Sequence, residues 1–164
     1  MSAFAAVLAR TGDRWRVDEV ALDDCESVTD IADLARDFPG QLRLVLIEQD
    51  DEYAAIVRVD HDDDDPRAFL SDGHAADAYP LAAVVAEDLD EIGEDELTDD
   101  SILSDAPPLH DSAPFGDAEI VDDLGTSPAD LLAMCAHEGT LPMDVLVAVC
   151  EKAGCGEAFD ELRA

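Results

Sequence analysis

LRLVLIEQDDEYAAIVRVD, residues 42–60, decides the fold. Its first part, LRLVLIE at 42–48, is a short run of branched and other apolar side chains. That composition suits a central strand buried on both faces, although periodicity does not by itself exclude other readings. The turn QDDE follows, and then YAAIVRVD at 53–60 reads as a second strand. The short spacing makes the pair a hairpin, so the sheet that contains it starts out antiparallel.

The flanks extend this pattern. Upstream, AFAAVL (3–8) and WRVDEVAL (15–22) read as two strands joined at Thr11-Gly12-Asp13. Trp15, Val17 and Glu19 share one face of the second. A helix should follow, with Ser27 as its N-cap and Asp30 completing a capping box. Val28, Ile31, Leu34, Ala35 and Phe38 recur at helical spacing, and Pro39-Gly40 stops the run. Downstream of the hairpin comes HDDDDP (61–66), and then RAFL (67–70) as a short strand. Ser71-Asp72-Gly73 ends that strand, and a helix is expected from about residue 74 to 88, kinked or split by Pro80. Strand, strand, helix, strand, strand, short strand, helix is the order of an α+β domain with a mainly antiparallel sheet and helices on one face. The strand order within the sheet does not follow from the pattern.

The character of the chain then changes. Residues 87–123 carry 15 carboxylates and no Lys or Arg, with Pro, Ser and Gly interspersed. Such a stretch buries too little apolar surface to offset its ordering entropy, so it reads as an acidic disordered linker. Spaced apolar residues interrupt it, Leu97, Ile102, Leu103, Leu109, Phe115 and Ile120, of the kind that dock on a partner or back onto the chain's own domain; Leu97, Ile102, Leu103 and Phe115 are the ones expected on a partner. Beyond it, Ser127 caps a helix with Pro128 at its first position, Asp130 as box partner and Leu131, Leu132, Met134 and Cys135 on its apolar side. A second helix begins near Leu141-Pro142 and runs through Val145, Leu146, Val149 and Cys150 to Gly154. The two form a helical hairpin too small for a good core of its own, which must dock on the first unit, on another copy or on a partner. The chain thus divides into an α+β domain at 1–88, the acidic linker at 89–125 and the hairpin at 126–164.

Charge narrows the function. Among 164 residues, 42 acidic side chains oppose 9 basic ones, for a formal net charge of -33. No Lys or Arg lies between Arg67 and Lys152. Such a surface repels nucleic-acid phosphates and anionic membranes, and it attracts basic protein surfaces or cations. Solubility, or adaptation to a salt-rich cytoplasm, is the plainer explanation of the same charge. No apolar run approaches the roughly 20 residues of a membrane span, and the start lacks the basic and apolar regions of a signal peptide. Cys25, Cys135, Cys150 and Cys155 are spaced as free thiols of a cytoplasmic protein rather than as a disulfide framework.

The candidate sites are weak when taken one at a time. An EF-hand loop starting at Asp60 would place Asp62 and Asp64 correctly, but Asp65 and Ser71 stand where the turn glycine and the bidentate glutamate belong. A zinc site from Cys135, His137, Cys150 and Cys155 lacks any C-x-x-C, and residues two or five apart on a helix point away from each other unless the helix ends between them. Ser71, Asp72 and His74 are neighbours in sequence, but a catalytic triad is a matter of geometry. Trp15, Tyr53, Phe69 and Tyr79 could stack bases only on a basic sheet, so core packing is their expected role. No phosphate loop, dinucleotide fingerprint or nucleophile elbow is present. The sequence therefore predicts no catalytic residue, no cofactor and no metal.

Several stretches together resemble a known family. FAAVLAR (4–10) followed by Trp15, the strand EYAAIVRVD (52–60), PRAFLSD (66–72) with its Ala-rich helix, the acidic stretch, and LGTSPADLLAMCAHEGTLPMDVLVAVCEKAG (124–154) are similar to an actinobacterial family of tRNA adenosine deaminase-associated proteins. The resemblance spans nearly the whole chain, and its most specific stretches are VRVD (57–60) with PRAFLSD and the C-terminal helical pair. It implies a cytoplasmic accessory protein linked to adenosine-to-inosine tRNA editing, with the deaminase itself as the candidate partner. It brings no assigned functional residue. The chain is not the deaminase, which needs H-x-E and P-C-x-x-C to hold zinc and move protons; here Glu138 follows His137 directly. An enzyme that grips tRNA presents basic surface, to which an acidic chain is complementary. The competing expectations are an acidic nucleic-acid mimic or general adaptor for basic protein surfaces, and an enzyme built on Asp72 and His74.

Overall fold

The hairpin at 42–60 is the centre of the sheet. In the computed structural model, which describes residues 3–61, 66–86, 114–137 and 139–163, Leu42–Gln49 (β3) pairs antiparallel with Tyr53–Asp60 (β4). The three-residue loop between them places Asp50 and Asp51 at φ of 55° and 59°. Aspartate tolerates this left-handed region better than most residues. The Glu48 carboxylate steadies the loop by accepting the Asp51 N–H at 2.8 Å.

Phe4–Thr11 (β1) lies on the other side of β3, and Arg14–Glu19 (β2) turns back on it. Arg67–Leu70 (β5) pairs with β4, and a two-residue strand, Phe115–Gly116 (β6), completes the order β2-β1-β3-β4-β5-β6. Every neighbouring pair is antiparallel. β2 and β3 flank β1, so the chain must cross over from one to the other, and Val28–Arg36 (α1) lies in that connection. Ser27 caps α1 by accepting the Asp30 N–H at 3.2 Å, while the Asp30 carboxylate accepts the Glu26 N–H at 3.0 Å.

Alternation along the strands divides the core in two. Ala5, Val7, Val45, Ile47, Ala55, Val57, Val59 and Leu70 face one side, where they meet Val28, Ile31, Ala32 and Ala35 of α1. Ala75–Ala78 (α2) and the helical residues 80–86 (α3) cover the same side through Ala75, Ala76, Ala82 and Val85. Pro80 does split the helix expected there. Tyr79 is extended (φ -123°, ψ 124°), as the residue before a proline prefers.

Ala6, Leu8, Leu42, Leu44, Leu46, Ile56 and Phe69 face the other side. Pro128–Ala136 (α4), Pro142–Ala153 (α5) and Gly156–Arg163 (α6) close it with Leu131, Val145, Leu146, Val149, Cys150 and Phe159. The helices of the first unit thus lie on one face, and the C-terminal helices dock on the face they leave open. Gly154 (φ +97°) ends α5, and its N–H donates to Cys150 O at 3.0 Å. Gly125 (φ +107°) lies so close to Lys152 that a Cβ would sit 3.0 Å from its carbonyl oxygen. Both positions demand glycine.

The acidic stretch ends sooner than its composition indicates. Inside the 89–125 span read as linker, β6 joins the sheet and Ile120, Val121 and Leu124 are buried around a 3₁₀ turn at Asp122–Leu124. Three apolar side chains in five residues suffice to fix this segment once a sheet face is there to receive them. Residues 89–113 lie outside the described residues.

Candidate functional site

Two arginines define the best-built polar cluster. Arg58 on β4 and Arg67 on β5 are direct cross-strand partners. Two cations so placed repel unless carboxylates surround them. Arg58 Nε donates to Asp60 Oδ1 at 2.9 Å, Nη1 to Ile120 O at 2.7 Å, and Nη1 and Nη2 to the two oxygens of Asp123 at 2.5 and 2.8 Å. Arg67 Nε donates to Asp117 Oδ2 at 2.5 Å. The fork on Asp123 is the bidentate geometry that guanidinium and carboxylate share. Hydrogen bonding to Arg58 holds the Asp123 carboxyl below its ordinary value, and the bonds to Asp123 and Asp60 hold Arg58 in its charged form. Arg58 is 7% exposed. These bonds clamp residues 117–123 onto the sheet.

An open cleft of about 680 Å³ lies on the α1–α3 face, at one end of the sheet. Glu19, Leu22, Asp23, Cys25, Gln49 and Leu81 are among its lining residues, and no Lys or Arg is. Burial, then Asp30 and Asp24, raise the Cys25 thiol above its ordinary value, so it is held as the un-ionised thiol. The cleft is suited to an uncharged or cationic apolar group and repels phosphate-bearing ligands.

The residues singled out in the sequence are distributed as follows. Ser71 extends the β4–β5 ladder: its N–H donates to Ala54 O at 2.9 Å, and its Oγ accepts the Ala54 N–H at 2.8 Å. Asp72 accepts the main-chain N–H of His74 at 2.9 Å, and the imidazole is exposed. These contacts describe a strand end and a turn, not a relay from hydroxyl to imidazole to carboxylate. Asp60, the first position of the imagined EF-hand loop, is bonded to Arg58, and residues 62–65 lie outside the described residues.

Cys150 and Cys155 do meet, because α5 ends between them. Cys155 N–H donates to Cys150 O at 2.9 Å, and a side-chain hydrogen bond with Cys150 draws the Cys155 thiol down. They occupy the two positions that pack together at a glycine-terminated helix, one inside its last turn and one just past Gly154. Cys135 is not drawn in: burial pushes its thiol up to about 11. His137 is exposed, with Nδ1 3.1 Å from Thr140 Oγ1. Among the described residues no group of three or more His, Cys, Asp or Glu side chains is arranged to hold a metal ion.

The aromatics pack as core or near-core groups. Tyr53 and Phe69 are buried, Tyr53 donates to Gln49 Oε1 at 2.9 Å, and its ring lies 5.5 Å from that of Tyr79. Trp15 Nε1 donates to Ala153 O at 3.2 Å, and Arg10 sits 5.6 Å over its ring. Of the expected partner-binding residues, Leu97, Ile102 and Leu103 lie outside the described residues, and Phe115 is placed by its backbone alone, opposite Leu70 in β6.

The Arg58–Asp123 clamp is the feature that sequence reasoning missed. A signal for it existed: Arg58 and Arg67 fall in VRVD and PRAFLSD, two isolated cations in a chain with nine basic residues. Their carboxylate partners were hidden among 42 acids.

With this geometry in hand, comparison with known proteins gives one match. Residues 3–156 match the Rv3753c-like tRNA adenosine deaminase-associated protein family. No curated protein and no solved structure matches the chain. No helix among the described residues is long and apolar enough to cross a membrane.

Proposed function

We propose a function from one premise: the chain belongs to the Rv3753c-like tRNA adenosine deaminase-associated protein family. It acts as a cytoplasmic, non-catalytic accessory protein in adenosine-to-inosine tRNA editing, and it does so by binding the deaminase. The family membership carries this reading. Two physical facts support it. A net charge of -33 complements an enzyme surface built to grip tRNA. The polar groups singled out, Arg58 with Asp60 and Asp123 and Ser71 with Ala54, make contacts that hold the sheet and residues 117–123 together. The acidic stretch, with Leu97, Ile102, Leu103 and Phe115, contributes contacts of its own to the complex.

Co-purification with a tRNA adenosine deaminase at about 50 and about 500 mM salt tests this, since screening changes severalfold over that range. A stoichiometric complex at low salt that weakens at high salt, and that tRNA displaces, is expected. No complex at either salt rejects it.

The charge itself favours a second reading, an acidic mimic or adaptor for basic proteins in general. That reading predicts comparable, steeply salt-dependent binding to unrelated basic proteins. The first predicts that the deaminase is preferred over them.

A further inference from the structure

α4 is out of keeping with the rest of the molecule. Its sequence, PADLLAMCA, holds one charged residue in a chain that is 31% charged. A helix that apolar should bury a broad stripe. Only Leu131 is fully buried; Met134 and Cys135 are half-buried, and Ala129, Leu132, Ala133 and Ala136 are exposed. The exposed large apolar side chains of the described surface are Leu132 (40%) and Leu141 (48%), and both belong to the α4–α5 hairpin. Scattered exposed leucines are ordinary, but concentration on one helical hairpin is not.

The surroundings say what kind of occupant fits. Lys152 pairs with Asp130 at 3.5 Å, which sets the start of α4 beside the end of α5 and makes the two antiparallel. Asp130, Asp144 and Glu151 are exposed on the hairpin, and no Lys or Arg occurs in the sequence from 68 to 151. A second copy would bring the same carboxylates and another -33 charges to the contact, and an anionic lipid surface would be repelled likewise.

We infer that the outer face of α4 and the start of α5, centred on Leu132 and Leu141, is a docking surface for a protein partner that presents apolar side chains bordered by Lys and Arg. In the setting of the proposed function, on which this assignment rests for the partner's name, that partner is the deaminase. The hairpin supplies the apolar anchor, and the acidic surround orients it.

The test has two arms. In the first, the dissociation constant of the full chain for the deaminase is measured for the native protein, Leu132→Asp, Leu141→Asp and a control on the far face, Asp33→Ser. Both leucines are substantially exposed, so matching melting curves should confirm that the variants fold. Each leucine variant should weaken binding at least about tenfold, the loss expected of an interface anchor, with the control within about twofold of native. Native affinity in both leucine variants overturns the docking surface and leaves the proposed function standing.

In the second arm, a photo-crosslinking residue is placed at 132, 141 or 33 in cells of the source organism. If the native chain does not bind the deaminase, the proposed function fails and this arm decides. Adducts at 132 and 141, but not at 33, with one protein that then binds the purified chain through a peptide of apolar residues flanked by Lys or Arg support the surface. Self-adducts alone, or no adducts, overturn it.

Discussion

The helices that cover one face of the sheet come from within the run of strands, while those on the other face come from beyond the acidic stretch. α1 sits between β2 and β3, and α2 and α3 follow β5 directly, so each meets the sheet through a short connection. α4, α5 and α6 return after residues 87–113, and they are held by side chains that reach across the whole chain. Trp15 bonds to Ala153, Arg58 to Asp123, and Phe4 packs edge-on against Phe159 at 5.8 Å. A face closed by local segments forms with little loop-closure cost, whereas the distant face must meet a larger one from the burial of Leu131, Val145, Leu146, Val149 and Phe159 and from these long-range contacts. It is also the face whose outer hairpin keeps Leu132 and Leu141 in solvent. The distant face is therefore the place to look for both local opening and partner binding.

This contrast can be broken at each anchor. Phe159→Ala should cost the most, about 3–5 kcal/mol, because the ring is fully buried. Hydrogen exchange should show the loss first in α5 and α6, whereas Ile31→Ala, at equal depth on the local face, should lower protection throughout the sheet. Uniform loss in both variants would erase the distinction.

Arg58→Ala should follow, at about 2–3 kcal/mol, below the range for a fully buried pair because Asp123 is 59% exposed. Arg58→Lys should recover only part of this, since an ammonium cannot hold both carboxylate oxygens in a fork. Equal stability in the lysine variant and the native chain would show that charge alone, without the fork, holds residues 117–123.

Trp15→Phe keeps most of the ring and removes the bond to Ala153, so a loss of about 1 kcal/mol is expected in denaturant titration. An unchanged midpoint would mean that water replaces that bond without cost.

The smallest effect is in pH. Arg58 holds the Asp123 carboxyl below its ordinary value of 3.8. The folded value is the lower one, so the contribution is complete above the unfolded value and fades as pH falls through the folded one. Stability should therefore decline below about pH 4, more shallowly in Asp123→Asn. Parallel acid branches in the two proteins would remove the ion pair from the account of the distant face.

The local face was the legible one. β3, β4 and β5 lie where branched apolar runs and turn residues place them, Ser27 caps α1, and Pro80 splits the helix that follows β5. β1 and β2 are longer and shorter, respectively, than their apolar patterns suggest, because pairing and not composition sets where a strand ends. The distant face was legible only as two helices with a need to dock. Nothing in their periodicity tells which of three surfaces receives them; the answer lies in Trp15 and Arg58, whose partners are 138 and 65 residues away. β6 has two residues and no period to read. The meeting of Cys150 with Cys155 depended on where α5 stops, which Gly154 fixes.

The most direct measurement is hydrogen exchange on the full chain, alone and with a tRNA adenosine deaminase. Added protection in α4 and the first turn of α5, with α1 unchanged, is the predicted result. Protection confined to α1 and the cleft beside Cys25, or none anywhere at saturating deaminase, would contradict the assignment of the distant face to partner binding.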